Sequence, residues 1–252
     1  SCHANYRTDR STKGNPISPP YCRARKSARL PAKEARAGML DDWRLFFREY
    51  LRNFHHTGAV SPSSRFLAAA LARHVSENPG NGAAPRRVLE VGPGTGAVTR
   101  QIVASLGPFD RFDLVEWNSR FVDCLRRRFE TEAPWKAVAD RVRVIHAPVQ
   151  DLPREGAYQA IVSGLPLNNF AVADVEQILE AFRGLLAPGG TLSFFEYIAV
   201  RPARALVSGR ADRQRLKGIG QALEQILARH EFHRDCVWPN LPPAWVHHVR
   251  LS

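Results

Sequence analysis

The sequence predicts an α/β fold: a doubly wound, mostly parallel sheet with helices on both faces, an antiparallel edge pair and N-terminal helices. Three observations carry this. From Arg86 onward, short apolar runs alternate with helical patterns, the signature of strands joined by crossover helices. The first run, Val88-Leu89-Glu90-Val91, passes directly into a glycine-rich turn and then a helical stretch. Two more short runs near the C-terminus lack a helix between them, as in a hairpin.

In chain order, strands are predicted at Arg87–Val91, Phe112–Glu116, Val142–Ile145, Ala160–Ser163 and Thr191–Tyr197, and near Cys236–Trp238 and Trp245–Arg250. Helices are predicted at Ala97–Leu106, Ser119–Glu130, Val172–Leu186 and Asp212–Glu231. Pro188-Gly189-Gly190 is a tight turn ahead of the fifth strand. Upstream, Ser63 or Ser64 can cap a helix over Arg65–Val75. Before that, Trp43, Phe46, Phe47, Tyr50, Leu51 and Phe54 fall on one face of a helix spanning 41–56. Arg44, Arg48 and Arg52 flank that face. Such a stripe suits either the protein core or an interfacial membrane helix. The chain divides into a basic tail (1–38), a segment with the amphipathic helix and a cap (39–83) and the sheet domain (84–252).

The 252 residues carry 36 Lys and Arg against 24 Asp and Glu, a net charge of +12. Residues 1–38 alone hold nine basic and two acidic side chains. They are rich in Ser and Pro and poor in large apolar residues, so they are expected to be disordered. The excess of positive charge points to an anionic partner, nucleic acid or a membrane surface. No run reaches the roughly 18–20 apolar residues of a membrane-spanning helix, and no apolar signal-peptide region is visible. Cys2, Cys22, Cys124 and Cys236 lie far apart without a C-x-x-C pair. This predicts neither a disulfide scaffold nor a zinc site, and fits a reducing cytoplasm. His230, His233, His247 and His248 have no spacing that sets ligands on one face. They are expected at the surface, and no metal is expected.

The sharpest motif is Glu90-Val91-Gly92-Pro93-Gly94-Thr95-Gly96 at the first strand–helix junction. Glycines let a backbone turn sharply and approach a ligand closely. The third glycine comes one residue earlier than in the dinucleotide pattern G-x-G-x-x-G. Glu116 ends the second strand, where a carboxylate can accept both hydroxyls of a ribose.

This constellation resembles the class I S-adenosylmethionine-dependent methyltransferases, which implies a seven-stranded Rossmann-like sheet and S-adenosylmethionine as cofactor. By that resemblance, Glu90, Gly92, Pro93, Gly94, Thr95 and Gly96 surround the methionine part. Glu116 holds the ribose, Trp117 lies against the adenine, and Ser163 joins the cofactor set. The family often carries an acidic residue after the third strand. Here Pro148 occupies that place in His146-Ala147-Pro148-Val149-Gln150-Asp151. The Val149 backbone, or the side chain of Gln150 or Asp151, is therefore the expected adenine contact.

The loop after the fourth strand, Ser163-Gly164-Leu165-Pro166-Leu167-Asn168-Asn169-Phe170, is the acceptor side. Ribosomal RNA adenine dimethyltransferases carry N-L-P-Y there, with an amide to accept from adenine's amino group and a ring to stack. Gly164 and Leu167 provide neither, so the loop fits an aliphatic amine better than a base. Bacterial phospholipid N-methyltransferases resemble residues 41–252 more closely. They share the aromatic helix, the G-A-V-S-P-S-S segment, E-V-G-P-G-T-G, S-G-L-P-L and a tail like Asn240-Leu241-Pro242-Pro243-Ala244.

That resemblance implies methylation of phosphatidylethanolamine toward phosphatidylcholine by a peripheral protein at the cytoplasmic face of the cell membrane. Ornithine lipid is an alternative acceptor, and ribosomal RNA a second. On the lipid reading the partner is an anionic membrane surface, and nucleic acid is disfavoured. Gly164, Leu165, Pro166, Asn168, Tyr50 and Phe54 would bind the acceptor, and Tyr197 would assist catalysis. Glu196 and His146 are further candidates for removing the amine proton. Aromatic rings such as Tyr50, Phe54 and Tyr197 suit a cationic methylated product.

Overall fold

A computed structural model describes residues 62–76, 85–198, 209–240 and 242–251. The aromatic segment 41–56, including Tyr50 and Phe54, and the basic tail lie outside the described residues.

Seven strands form one sheet: β1 (Arg87–Val91), β2 (Arg111–Glu116), β3 (Val142–His146), β4 (Tyr158–Ser163), β5 (Leu186–Tyr197), β6 (Glu231–Val237) and β7 (Ala244–Arg250). Their order is β3-β2-β1-β4-β5-β7-β6, with β1 to β5 parallel and β7 antiparallel to both β5 and β6. The predicted doubly wound sheet with an antiparallel edge pair is the observed architecture.

Each helix buries the stripe that its spacing defines. In α1 (Pro62–Ser76), Ala68, Leu71, Ala72 and Val75 are buried, and this helix shares a core with Val88, Phe112, Leu114, Phe195 and Val246. Helix α2 (Ala97–Val103) follows the glycine turn. Helix α3 (Ser119–Thr131) buries Val122, Leu125 and Phe129 and starts at Asn118, whose side chain accepts from the Arg120 N–H at 2.9 Å. A short α4 (Ala133–Lys136) seats Trp135 against Phe129. Helix α5 (Val172–Leu185) buries Val175, Ile178, Phe182 and Leu185, and α6 (Arg210–His230) buries Leu216, Ile219, Leu223 and Ile226. A side chain added at Gly218 of α6 would meet Val172 of α5 at 2.8 Å, so the two helices approach closely there.

Several boundaries differ from expectation. Strand β5 begins at Leu186, five residues early, because the Pro188-Gly189-Gly190 turn is absorbed as an irregularity between the pairs Tyr158–Leu186 and Ala160–Thr191. Strand β6 begins at Glu231, which the helical pattern had claimed.

The C-terminal histidines need a firmer correction. His247 and His248 are 3% and 0% exposed, not superficial. Antiparallel pairing turns them to opposite faces of the sheet. His248 Nε2 donates to Asp235 at 3.2 Å, and its Nδ1 accepts from Ser193 at 2.8 Å. Burial and the neighbouring His74 push its pKa down to about 4, so the ring is neutral. Ser193 and His248 of this serine–histidine–aspartate array are buried in the sheet, while Asp235 borders a groove and also pairs with Arg73. Among the described residues, no group of three or more His, Cys, Asp or Glu could hold a metal.

Candidate active site

The site forms at the C-terminal ends of β1, β2 and β4, where the order reverses between β1 and β4. Gly92, Gly94 and Gly96 all have positive φ, at 68°, 56° and 85°. The turn is tied to both neighbouring strands. The Gly92 N–H donates to the Val115 carbonyl at 2.9 Å, and the Gly164 N–H donates to the Val91 carbonyl at 2.8 Å. A Cβ at Gly92 would lie 2.6 Å from the Leu165 side chain, and one at Gly164 would lie 2.7 Å from the Gly92 carbonyl. The cofactor loop and the acceptor loop therefore touch only because both contact residues lack a side chain. At Gly94 nothing lies within 4 Å of the Cβ position, so that side of the loop is open.

Two buried carboxylates flank the turn. Glu90 is 1% exposed; its Oε2 accepts from the Thr99 hydroxyl at 2.7 Å, while its Oε1 has no protein partner. Burial raises its pKa to about 8, with the charge of Glu116 adding to the effect. Glu116, also 1% exposed, accepts from the Gly94 N–H at 3.1 Å and the Asn118 N–H at 2.8 Å. Burial still leaves its pKa raised.

Beyond Glu116, Trp117 is half-buried, with its ring 6.2 Å from that of His146. His146 is exposed, and its Nε2 lies 2.9 Å from the Trp117 carbonyl, so it braces the tryptophan backbone. Val149 is buried, and the Oε1 of neighbouring Gln150 is buried without a protein partner. Arg128, from α3, donates to the Thr95 carbonyl, bonds Glu132 at 2.7 Å and stacks over Trp135 at 4.2 Å. It fixes the outer lip of the loop.

On the acceptor side, Leu165, Pro166, Leu167 and Asn168 are buried. Ser163 ends β4, and its hydroxyl accepts from the Leu165 N–H at 3.3 Å. The Asn168 Oδ1 is buried with no protein partner. Arg215 of α6 reaches over to this loop and donates to the carbonyls of Asn168 and Phe170 at 3.0 and 2.7 Å.

Residues 88–190 match the family described as a methyltransferase domain. Over 157 residues the chain is 30% identical to the ornithine lipid N-methyltransferase of Singulisphaera acidiphila, covering 61% of this chain and 77% of that protein. The chain belongs to the S-adenosylmethionine-dependent methyltransferases.

The lovastatin diketide synthase of Aspergillus terreus is 32% identical over 118 residues, but the match covers only 4% of that protein. Two solved structures share the fold. The 1,6-didemethyltoxoflavin-N1-methyltransferase of Burkholderia thailandensis has a TM-score of 0.54 at 17% identity, covering 94% of this chain and all of that one. The O-methyltransferase of Bacillus cereus has a TM-score of 0.55 at 16% identity, covering 83% and 90%.

The residues of the methyltransferase turn fit its cofactor. The unpartnered Glu90 Oε1 suits an ammonium group, Glu116 keeps free lone pairs for hydroxyls, and Gly94 leaves room beside the loop. Of the expected cofactor residues, Glu90, Gly92 to Gly96, Glu116, Trp117 and Ser163 lie at the carboxyl ends of β1, β2 and β4, while Val149 and Gln150 follow β3. Tyr197 stands apart at the end of β5, against Phe195 at 5.1 Å between ring centroids. Burial raises its pKa above the ordinary tyrosine value, so its hydroxyl stays protonated at neutral pH. Thr99, Arg128 and Arg215 escaped sequence reasoning. Arg128 and Arg215 left a trace, the Arg128/Glu132 and Asp212/Arg215 spacings of helical ion pairs, and Thr99 left none.

Proposed function

We propose that this methyltransferase methylates the primary amine of a membrane aminolipid, phosphatidylethanolamine in the leading reading. The 30% identity to an ornithine lipid N-methyltransferase over 77% of that protein supports an aminolipid acceptor and makes ornithine lipid an acceptor to test beside phosphatidylethanolamine. The acceptor loop supports an aliphatic amine. Leu165, Pro166 and Leu167 give it a buried apolar lining, with neither a stacking ring nor an amide at the N-L-P-Y positions.

When bound, S-adenosylmethionine supplies an electrophilic methyl group on a sulfonium. The chain's own residues hold and orient. Glu90 takes the methionine ammonium, aided by the backbone of Gly92, Pro93, Gly94, Thr95 and Gly96. Glu116 takes the ribose. Trp117, Val149 and Gln150 border the base, and Ser163 shapes the wall between the two loops. Gly164, Leu165, Pro166 and Asn168 line the acceptor, with the Asn168 Oδ1 available to an N–H of the amine.

Alkyl ammonium groups titrate near ~10, so the acceptor must lose a proton before it reacts. Glu196, 6% exposed near the end of β5 and 3.6 Å from His247, is one candidate for that task, and Tyr197 and His146 are the others. The enzyme would work at the inner face of the cell membrane, held by its positive charge.

The test supplies radiolabelled S-adenosylmethionine to the full chain with vesicles containing phosphatidylethanolamine, vesicles containing ornithine lipid, or undermodified ribosomal RNA. Label in a lipid extract supports the proposal, and chromatography identifies the acceptor and counts the methyl groups. Label in RNA alone overturns it.

A further inference from the structure

The β6–β7 connection bears directly on how a lipid could reach the site. Ala244 of β7 pairs with Tyr197, the last residue of β5, so the connection after Val237 lies at the C-terminal end of the sheet. The Ile198 N–H donates to the Pro243 carbonyl at 2.7 Å and ties it there. The cofactor loop opens at the same end. Helix α1 is oriented by Arg73, which bonds Asp235 at 2.9 Å, and by Phe66, which shares a groove of about 490 Å³ with Val237 and Pro239. Its N-terminal end therefore meets the same rim.

At this rim two aromatic side chains face solvent: Trp238 is 68% exposed and Phe66 is 42% exposed. Arg65, itself exposed, stacks its guanidinium 4.9 Å over the Phe66 ring. Helix α1 carries no acidic side chain, and the connecting segment Trp238-Pro239-Asn240-Leu241-Pro242-Pro243 carries no charge. In sequence, the Arg-flanked aromatic stripe of 41–56 leads into α1. The carboxylate that lines the groove, Asp235, is paired with Arg73. Two exposed rings, one of them under an arginine, match the interfacial zone of a bilayer, where rings sit at headgroup level and arginine meets lipid phosphate. The other large exposed rings are placed differently. Phe109 lies just before β2, at the opposite end of the sheet, and Phe232 lies under the Arg250 guanidinium at the start of β6.

From this we infer that Phe66, Trp238 and Arg65 form a membrane-docking rim that sets the C-terminal end of the sheet against an anionic lipid surface. An aminolipid headgroup could then reach the acceptor loop without leaving the bilayer. The inference rests on the lipid reading of the site.

The test mixes the full chain with phosphatidylcholine–phosphatidylglycerol vesicles carrying brominated acyl chains, which quench tryptophans that enter the interface. Quenching of the wild-type protein should exceed that of Trp238→Phe. The double variant Phe66→Ser/Trp238→Ser should partition more weakly, on the order of tenfold for each ring withdrawn from lipid. Its turnover of vesicle-borne aminolipid should fall in proportion. Cofactor affinity and methylation of a short-chain aminolipid kept monomeric should not change, which also shows that the variant is folded. Equal quenching in wild type and Trp238→Phe, with unchanged partition of the double variant, overturns the rim. Quenching that depends on Trp238 in a protein that methylates no aminolipid keeps the rim and rejects the acceptor.

Discussion

At the start of β2, Asp110 and Asp113 are each 2% exposed, and each sits against guanidinium groups. At the ends of β1 and β2, Glu90 and Glu116 are each 1% exposed and meet none of the described cations in an ion pair. Burial raises all four carboxyls. For Asp110 the bonds from Arg86 and from the Gly107 and Arg86 N–H groups outweigh it. For Asp113 those from Arg143 and Tyr158 do so. Both aspartates end below the ordinary range, while both glutamates stay above it. A buried carboxylate without a cation is costly to keep. One end of the sheet uses its acids for stability. The other holds its acids in reserve for the ligand that completes them.

The comparison is broken most severely at the paired end. Arg86 bonds Asp110 at 2.5 Å and also donates to the Val75 and Ser105 carbonyls. Arg86→Ala strands a buried charge, and such losses run to ~3–5 kcal/mol. Thermal unfolding of the variant should shift down by about 6–20 °C. A shift of a degree or two would mean that Asp110 needs no cation and that the contrast is empty.

At the reserved end the sign reverses. Between pH 4.5 and about 8, folded Glu90 keeps a proton that the unfolded chain has lost, so the cofactor-free enzyme loses stability as pH rises across that window. Below it the group is protonated in both states and contributes no slope. Glu90→Gln should flatten the slope and make the cofactor-free enzyme more stable than wild type at pH 8. It should also weaken S-adenosylmethionine binding by roughly tenfold to a hundredfold, the loss of one charge-assisted hydrogen bond. Denaturant titrations at pH 5 and 8, with calorimetry of cofactor binding, check both halves. A variant less stable at pH 8 and unchanged in affinity would assign Glu90 to the architecture.

How much of this was legible in the sequence follows from reach. Strands β1, β2, β4 and β5 read as apolar runs because they are largely buried, the edge strand β3 reads only from its β-branched residues, and the Glu90–Gly96 turn reads because its constraints are local. Glu116 was legible because a strand end is a local position. The burial of His247 and His248 was not, because it comes from pairing with residues 16 and 13 positions earlier and, for Ser193, 55 earlier. Thr99, nine residues from Glu90, carries no motif of its own, and Arg128 reaches Thr95 across 33 residues from within a run of three arginines. The start of β6 was lost to α6 because the helical periodicity runs on to Glu231 without a breaker.

The smallest effect sharpens the contrast on the acceptor side. Here a cation is present at the reserved end, but it serves the backbone. Arg215 is fixed by Asp212 at 2.6 Å, and one of its nitrogens spans the Asn168 and Phe170 carbonyls. Lysine keeps the charge but loses the fork that makes these contacts together. Arg215 and Asp212 are both partly exposed, so Arg215→Lys should cost under about 1 kcal/mol of stability. The loop it releases carries Asn168, so the acceptor KM should rise by roughly threefold to tenfold, about 1 kcal/mol of positioning. Glu90 and Glu116 lie on other strands, so cofactor affinity should hold. If both constants moved together, the two loops that meet at Gly92 and Gly164 would be one mechanical unit. If only the acceptor KM moves, the methyltransferase tunes acceptor and cofactor separately across a contact of two glycines.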